Sequence, residues 1–238
     1  MSTTDLAQRI ADVRQRIADS ARSVGRDPRD ITLIAVCKHQ PAASVLEAWS
    51  CGVRDFGENR AQELRSHAED LPSISDSQVR WHFIGTLQSN KVNAVLPYRP
   101  WIHTLDRLSL AQAISQRAAP EGVDCLVQVN IGREPQKGGI NPDDSIEFAR
   151  SVARLPGLRL RGLMAVPPAN EDPTPHFESM STLFEALRHT PEGKNVCALS
   201  MGMSRDFEAA IRCGATLVRV GTNLFGSRPE TSLDALRQ

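Results

Sequence analysis

A lysine that closes an apolar run is the first residue able to do chemistry. In "ITLIAVCKHQP" the β-rich segment 31–37 is followed at once by Lys38, and Pro41, three residues further on, opposes simple continuation. Such an amine is either a cap that reaches solvent from an apolar stem or a nucleophile held in a pocket. Strand parity puts Thr32, Ile34, Val36 and Lys38 on one face and Ile31, Leu33, Ala35 and Cys37 on the other. Both faces are apolar, as expected of a buried parallel strand. A second group lies near the other end, in "LSMGMSRDFEAAIRCGATLVRVGT", with Ser200 after one β-rich run, Ser204 placed as a helix N-cap, and Gly221-Thr222 leaving another run. Hydroxyls and glycine in such places suit ordinary turns, or an anion held by backbone N–H groups. Arg219 shares its face with Leu217 and Gly221, opposite Val218 and Val220. A guanidinium inside a strand needs an acceptor, either an ion-pair partner or the ring nitrogen or phosphate of a bound cofactor.

These residues must be brought together by the segments between them. Eight β-rich runs can be counted, at 31–37, 53–57, 80–85, 101–105, 123–130, 158–166, 195–200 and 216–221, separated by segments with apolar residues at helical spacing. Strict alternation favours parallel βαβ units, and eight of them in so short a chain favour a closed (β/α)8 TIM barrel over an open doubly wound sheet. The open sheet would also lack its G-x-G-x-x-G phosphate fingerprint. The whole chain, 1–238, reads as one barrel domain, with residues 1–28 supplying an extra N-terminal helix. That helix, over 5–24, carries Leu6, Ile10, Val13, Ile17 and Val24 on one stripe. The longest irregular stretches, "GREPQKGGINP" and "PPANEDPTP", follow the fifth and sixth strands, at the face where barrels carry their chemistry. A Schiff-base lysine on one side of that face and a phosphate cradle on the other are the two anchors that pyridoxal phosphate requires.

Composition narrows the partners. Lysine plus arginine equals aspartate plus glutamate, 28 each, with no block of like charge, which argues against nucleic acid and an anionic membrane surface. The five cysteines are scattered without a CxxC pair, so neither a disulfide framework nor a zinc site is expected, and a reduced, cytoplasmic setting is. No run approaches the length of a transmembrane span, and Asp5, Asp12 and Asp19 oppose a transit peptide.

With "LIAVCK", "GVRDFGEN", "WHFIGTLQSNK", "IHTLDR", "LVQVNI" followed by "KGGI", "LRGLMAV" and "LSMGMSRDFEAAIRCGATLVRVGTNLFGSR" taken together, the chain resembles the pyridoxal phosphate homeostasis protein family over nearly its whole length. That family is akin to the N-terminal domain of alanine racemase. The resemblance implies a single fold-type III barrel holding pyridoxal 5'-phosphate as a Schiff base on Lys38. It implies phosphate contacts from Ser200, Gly221 and Thr222, Arg219 facing the pyridine nitrogen, and Asn59, His82 and Met164 lining the site. Taken alone, a histidine within a strand such as His82 is more often a satisfied core residue than a ligand, Met164 is more often packing than a cofactor contact, and Asn59 also suits a helix cap. The chain departs from the family pattern at His39, where a small hydroxyl residue is usual, at Arg60 in place of a common tyrosine, and at Gly138 in place of a frequent serine.

An arginine opposite the ring nitrogen disfavours protonation there, which makes the cofactor a poor electron sink. Racemases with this barrel use a second base, a tyrosine. Tyr98, the single tyrosine, precedes the fourth strand and so falls on the opposite rim. The expectation is a carrier that buffers and delivers the aldehyde, without a catalytic residue or a metal, and with cofactor-requiring apoenzymes as partners. With no racemase-type second domain in view, a monomer is expected. An amino-acid racemase or lyase of the same fold is the alternative, and an aldolase using Lys38 without a cofactor is a third reading.

Overall fold

The computed structural model describes residues 3–71 and 79–226. Eight parallel strands follow one another around a closed barrel: β1 Thr32–Val36, β2 Asp55–Glu58, β3 Arg80–Phe83, β4 Trp101–Leu105, β5 Val123–Val129, β6 Leu158–Ala165, β7 Ala198–Ser200 and β8 Leu217–Val220. Closure comes from β1 against β8, which sets Ile34 level with Arg219 and Thr32 level with Leu217. Each expected strand is present, most trimmed at an end. The largest trim is at β7, where a 3-10 turn over Pro191–Asn195 takes up the first expected residue.

The helices are α1 Thr3–Arg22, α2 Ala42–Ser50, α3 Ala61–Asp70, α4 Val92–Val95, α5 Leu108–Ser115, α6 Ser145–Ala153, α7 Thr174–Arg188, α8 Phe207–Arg212 and α9 Thr222–Phe225. The extra helix α1 buries Leu6, Ile10, Val13 and Ile17 as its spacing requires, and packs on α2, α8 and α9. Arg16 fixes its angle by a two-pronged bond to Glu208 at 2.9 and 3.1 Å, with its guanidinium over the Phe207 ring. Val24 does not join the stripe: the helix ends at Arg22, the chain turns at Gly25 with φ +71°, and Ala21 is the last buried member. The expected domain span of 1–238 and the final "SR" of the last family motif extend into 72–78 and 227–238, outside the described residues.

Two layers result. Outward strand residues such as Ala35, Phe56 and Phe83 pack with the helices in one large cluster, while Ile34, Leu126, Met164, Ala198 and Leu217 form a separate apolar cluster inside the barrel. The same interior also holds Asp55, His82, His103, Ser200 and Arg219, all buried.

One glycine is dictated by the closure. The β5–β6 pairing shifts by a residue between Cys125 and Leu126, which passes from Leu160 to Gly162 on the partner strand. There a Cβ on Gly162 would stand 1.8 Å from the Ala198 carbonyl oxygen of β7. Because that obstacle is backbone, it cannot rotate away. Gly162→Ala is expected to destabilise the barrel by about 3 kcal/mol; a thermal unfolding midpoint equal to wild type would refute this account of the closure.

Candidate functional site

Two cavities share the barrel mouth at the carboxyl ends of the strands. The larger, about 670 Å³, is walled by Val36, Val166, Met203, Ser204, Arg219 and Thr222 among others. The smaller, about 370 Å³, is walled by Val36, Lys38, His39, Gln40, Gly221 and Thr222. Val36, Gly221 and Thr222 belong to both walls, so Lys38 and Arg219 stand on either side of one partition. The irregular stretches after β5 and β6 contribute Lys137 and residues 166–169 to the larger wall.

Lys38 lies two residues past the end of β1, in a turn, half-buried. Its parity with Val36 persists, since both reach the cavity. Among the described residues no acceptor or carboxylate pairs with its amine. The turn is held from both sides. Cys37 N donates to Gly57 O at 2.9 Å, Gln40 N donates to Cys37 O at 2.8 Å, and His39 takes a positive φ of 62° between them. From α3, His39 Nδ1 meets Glu63 Oε1 at 2.9 Å, and His67 Nε2 donates to the Gln40 carbonyl at 3.0 Å. His67 Nδ1 meets the fully buried Glu58 at 2.6 Å. Burial disfavours charge on His67, but the Glu58 hydrogen bond and charge, aided by the Gln40 carbonyl and Glu63, outweigh it and raise the ring pKa. Burial raises Glu58 too, against the pull of His67.

Arg219 is 4% exposed and has no carboxylate within ion-pair distance among the described residues. Its Nη1 donates to Ser200 Oγ and its Nη2 to the Ala165 carbonyl at 2.9 Å, which leaves three of five N–H donors without a partner among the described residues on a side chain that lines the larger cavity. Desolvation lowers its pKa to about 10, with Asp206 opposing, so the guanidinium stays charged at neutral pH.

Of the residues anticipated from sequence, the structure brings Lys38, Arg219, Gly221 and Thr222 together at the mouth. Ser200, expected at a phosphate, is fully buried beneath Arg219, its hydroxyl engaged with Arg219 and with His103 Nδ1 at 3.1 Å. His82 is fully buried with both ring nitrogens bonded, and Met164 sits in the inner apolar cluster; neither is a wall residue of the two mouth cavities. Asn59 faces a neighbouring groove shared with Arg60, Thr86 and Lys91, and its buried Oδ1 has no partner among the described residues.

Ser204 is the residue that sequence reasoning misplaced. It does not cap α8, whose N-cap is Asp206; its Oγ instead accepts from Gly221 N at 3.3 Å, and it lines the larger cavity. The signal was available, for Ser204 follows the β7 end by four residues, as an anion-binding loop would require. Lys137, at the end of "REPQK", was also passed over; its amine is committed to Glu134 and to the Pro167 carbonyl at 3.0 Å. Tyr98 lies before β4 on the opposite rim and donates to Glu69 at 2.7 Å. Among the described residues no cluster of His, Cys, Asp and Glu could hold a metal ion, and no helix is long and apolar enough to cross a membrane.

Comparison with known proteins covers this same architecture. Residues 11–229 match the alanine racemase N-terminal domain family. The pyridoxal phosphate homeostasis protein of Pseudomonas aeruginosa is 45% identical, over 96% of this chain and 97% of the relative. A crystal structure of an unknown protein from Bifidobacterium adolescentis superposes with a TM-score of 0.88 at 32% identity, over 94% of this chain and 95% of the other. PipY of Synechococcus elongatus, solved with PLP bound, gives a TM-score of 0.81 at 32% identity, over 93% of this chain and all of the other.

The pinned turn carries a pH dependence of known sign. Both Glu58 and His67 bind protons more tightly in the folded chain, so stability falls as pH rises. The His67 contribution is complete below the ordinary histidine value and is lost as pH climbs through the raised one. From the ordinary histidine value upward, the thermal midpoint of the wild type is expected to fall more steeply with pH than that of a variant carrying both Glu58→Gln and His67→Gln; parallel slopes would show that the pair does not hold the turn through its charge.

Proposed function

The chain belongs to the pyridoxal phosphate homeostasis protein family, and from that premise we propose that it holds and releases pyridoxal 5'-phosphate at the barrel mouth instead of turning over a substrate. The observation that carries the reading is Lys38, whose amine has no partner among the described residues, facing Arg219, which keeps N–H donors to spare, across one partition with hydroxyls beside them. The donor set fits the cofactor. Lys38 presents an amine to an aldehyde, and the surplus N–H groups of Arg219 suit an aromatic nitrogen. Ser204, whose oxygen already accepts from Gly221 N, and Thr222 offer hydroxyls, and the first N–H groups of α9 beyond Gly221 have no intrahelical acceptor and suit a phosphate.

When bound, the cofactor supplies a reactive aldehyde conjugated to a pyridine ring. Arg219, buried and charged, opposes a second positive charge at the ring nitrogen and so withholds the electron-withdrawing form that catalysis on amino acids exploits. The chain's other bases are engaged or distant: among the described residues only His39 shares a cavity wall with Lys38. Tyr98 is on the far rim, His82 has both nitrogens bonded inside the barrel, and His39 is tied to Glu63. Lys38 is then an anchor, and the half-open mouth beside it lets a competing amine approach. Apoenzymes that need the cofactor, each offering such a lysine, are the proposed recipients.

Addition of the cofactor to the purified protein is expected to give a visible absorption band that borohydride bleaches, with the fixed group on the peptide containing Lys38. Lys38→Ala should lose the fixation yet retain weak binding through the remaining contacts, and Ser204→Ala should bind about tenfold more weakly. Fixation that survives unchanged in Lys38→Ala would overturn the assignment of the lysine. Solvent deuterium appearing at the α-carbon of added amino acids at a catalytic rate would overturn the carrier reading.

A further inference from the structure

The barrel interior contains a run of hydrogen bonds that lies beneath the cofactor contacts. Asp55 Oδ1 is 2.8 Å from His82 Nε2, His82 Nδ1 is 2.9 Å from His103 Nε2, and His103 Nδ1 is 3.1 Å from Ser200 Oγ. Ser200 Oγ in turn accepts from Arg219 Nη1. The run crosses β2, β3, β4, β7 and β8, from the first residue of β2 at the barrel floor to a guanidinium at the mouth. Every member is buried, and at the floor the half-exposed Arg80 approaches the same Asp55 oxygen at 3.3 Å.

The chemistry of the groups allows one proton order. A carboxylate only accepts, so His82 carries its proton on Nε2 and offers Nδ1 as an acceptor. His103 must then be protonated on Nε2, and its free Nδ1 takes the Ser200 hydroxyl proton. The Ser200 oxygen is left to accept from Arg219, which has protons only to give. Burial lowers the pKa of both rings, and the Arg219 charge depresses His103 further, so each ring is neutral as this order demands. With the polarity reversed, His103 would donate to Ser200, and the serine proton would have to leave the chain in the crowded space beneath a cation.

We propose that Asp55, His82 and His103 are positioning residues: the carboxylate at the floor imposes a single proton order that keeps Ser200 an acceptor for Arg219 and aims the remaining guanidinium N–H groups at the ring end of the cofactor. The consequence for binding rests on the cofactor reading above, whereas the proton order is a property of the chain alone.

The test therefore begins without cofactor. Long-range ¹H–¹⁵N correlation spectra of the histidine rings at neutral pH are expected to show His82 and His103 neutral and protonated on Nε2. A charged ring, or the Nδ1 tautomer at His103, overturns the proposal with no mutation required. In Asp55→Asn, whose side chain can donate as well as accept, the single tautomer should give way to a mixture, and pyridoxal phosphate should dissociate about tenfold faster, in line with one disordered buried hydrogen bond to a charged group. Borohydride should still fix the cofactor on Lys38 in that variant. A wild-type dissociation rate in a variant with mixed tautomers overturns the positioning role. Failure of the wild type to bind the cofactor while the tautomers stand as stated removes the proposed function and leaves the proton order intact.

Discussion

A guanidinium sealed inside a barrel, without a carboxylate beside it among the described residues, is the constraint to which the rest of the interior answers. Desolvating a cation is costly unless its protons find acceptors. Arg219 meets that cost with the Ser200 hydroxyl and the Ala165 carbonyl, each from a neighbouring part of the same barrel end. Ser200 then needs an acceptor of its own, His103 needs another, and the sequence of needs runs down through His82 until Asp55 satisfies it. One side of the barrel is polar for this reason, and the cluster around Ile34, Leu126 and Met164 fills the rest.

The lysine is governed by a different set of forces. Lys38 leaves the sheet with β1 and is held by a turn whose fixed points come from α3 as much as from the strands. His67 links the buried Glu58 of β2 to the carbonyl of Gln40, so an ion-pair-like contact outside the barrel wall determines where the chain next to the amine can lie. The two anchors across the mouth thus stand on independent supports, one inside the barrel and one on its outer layer.

How much of this could be read beforehand follows from what parity and spacing encode. Alternation of β-rich and helical segments was enough for eight strands and a closed barrel. Parity within a strand was enough to send Lys38 and Arg219 to one mouth. Lateral neighbours were not legible, because which residue of β3 lies beside which of β4 depends on stagger around the ring. Hence the contacts that His82 and Ser200 make with His103 inside the barrel had no signature in the sequence. Ser204 was misread for a local reason: a serine before a helix has the look of a cap, yet Asp206 lies nearer the helix start and takes that position. Val24 failed on the same scale, since a helical stripe continues in sequence even where Gly25 has already ended the helix.

His39 holds a backbone angle that residues with a side chain seldom adopt, and it does so one step beyond the reactive amine. A departure from the family's usual small hydroxyl residue has landed on a strained joint, where its imidazole is clasped by Glu63 of α3. The position of the amine can therefore be retuned from the protein's rind, through Glu63 and His67 of α3, neither of which lines the cavity that holds Lys38. That separation lets the position of the amine change while the donors across the mouth stay where they are.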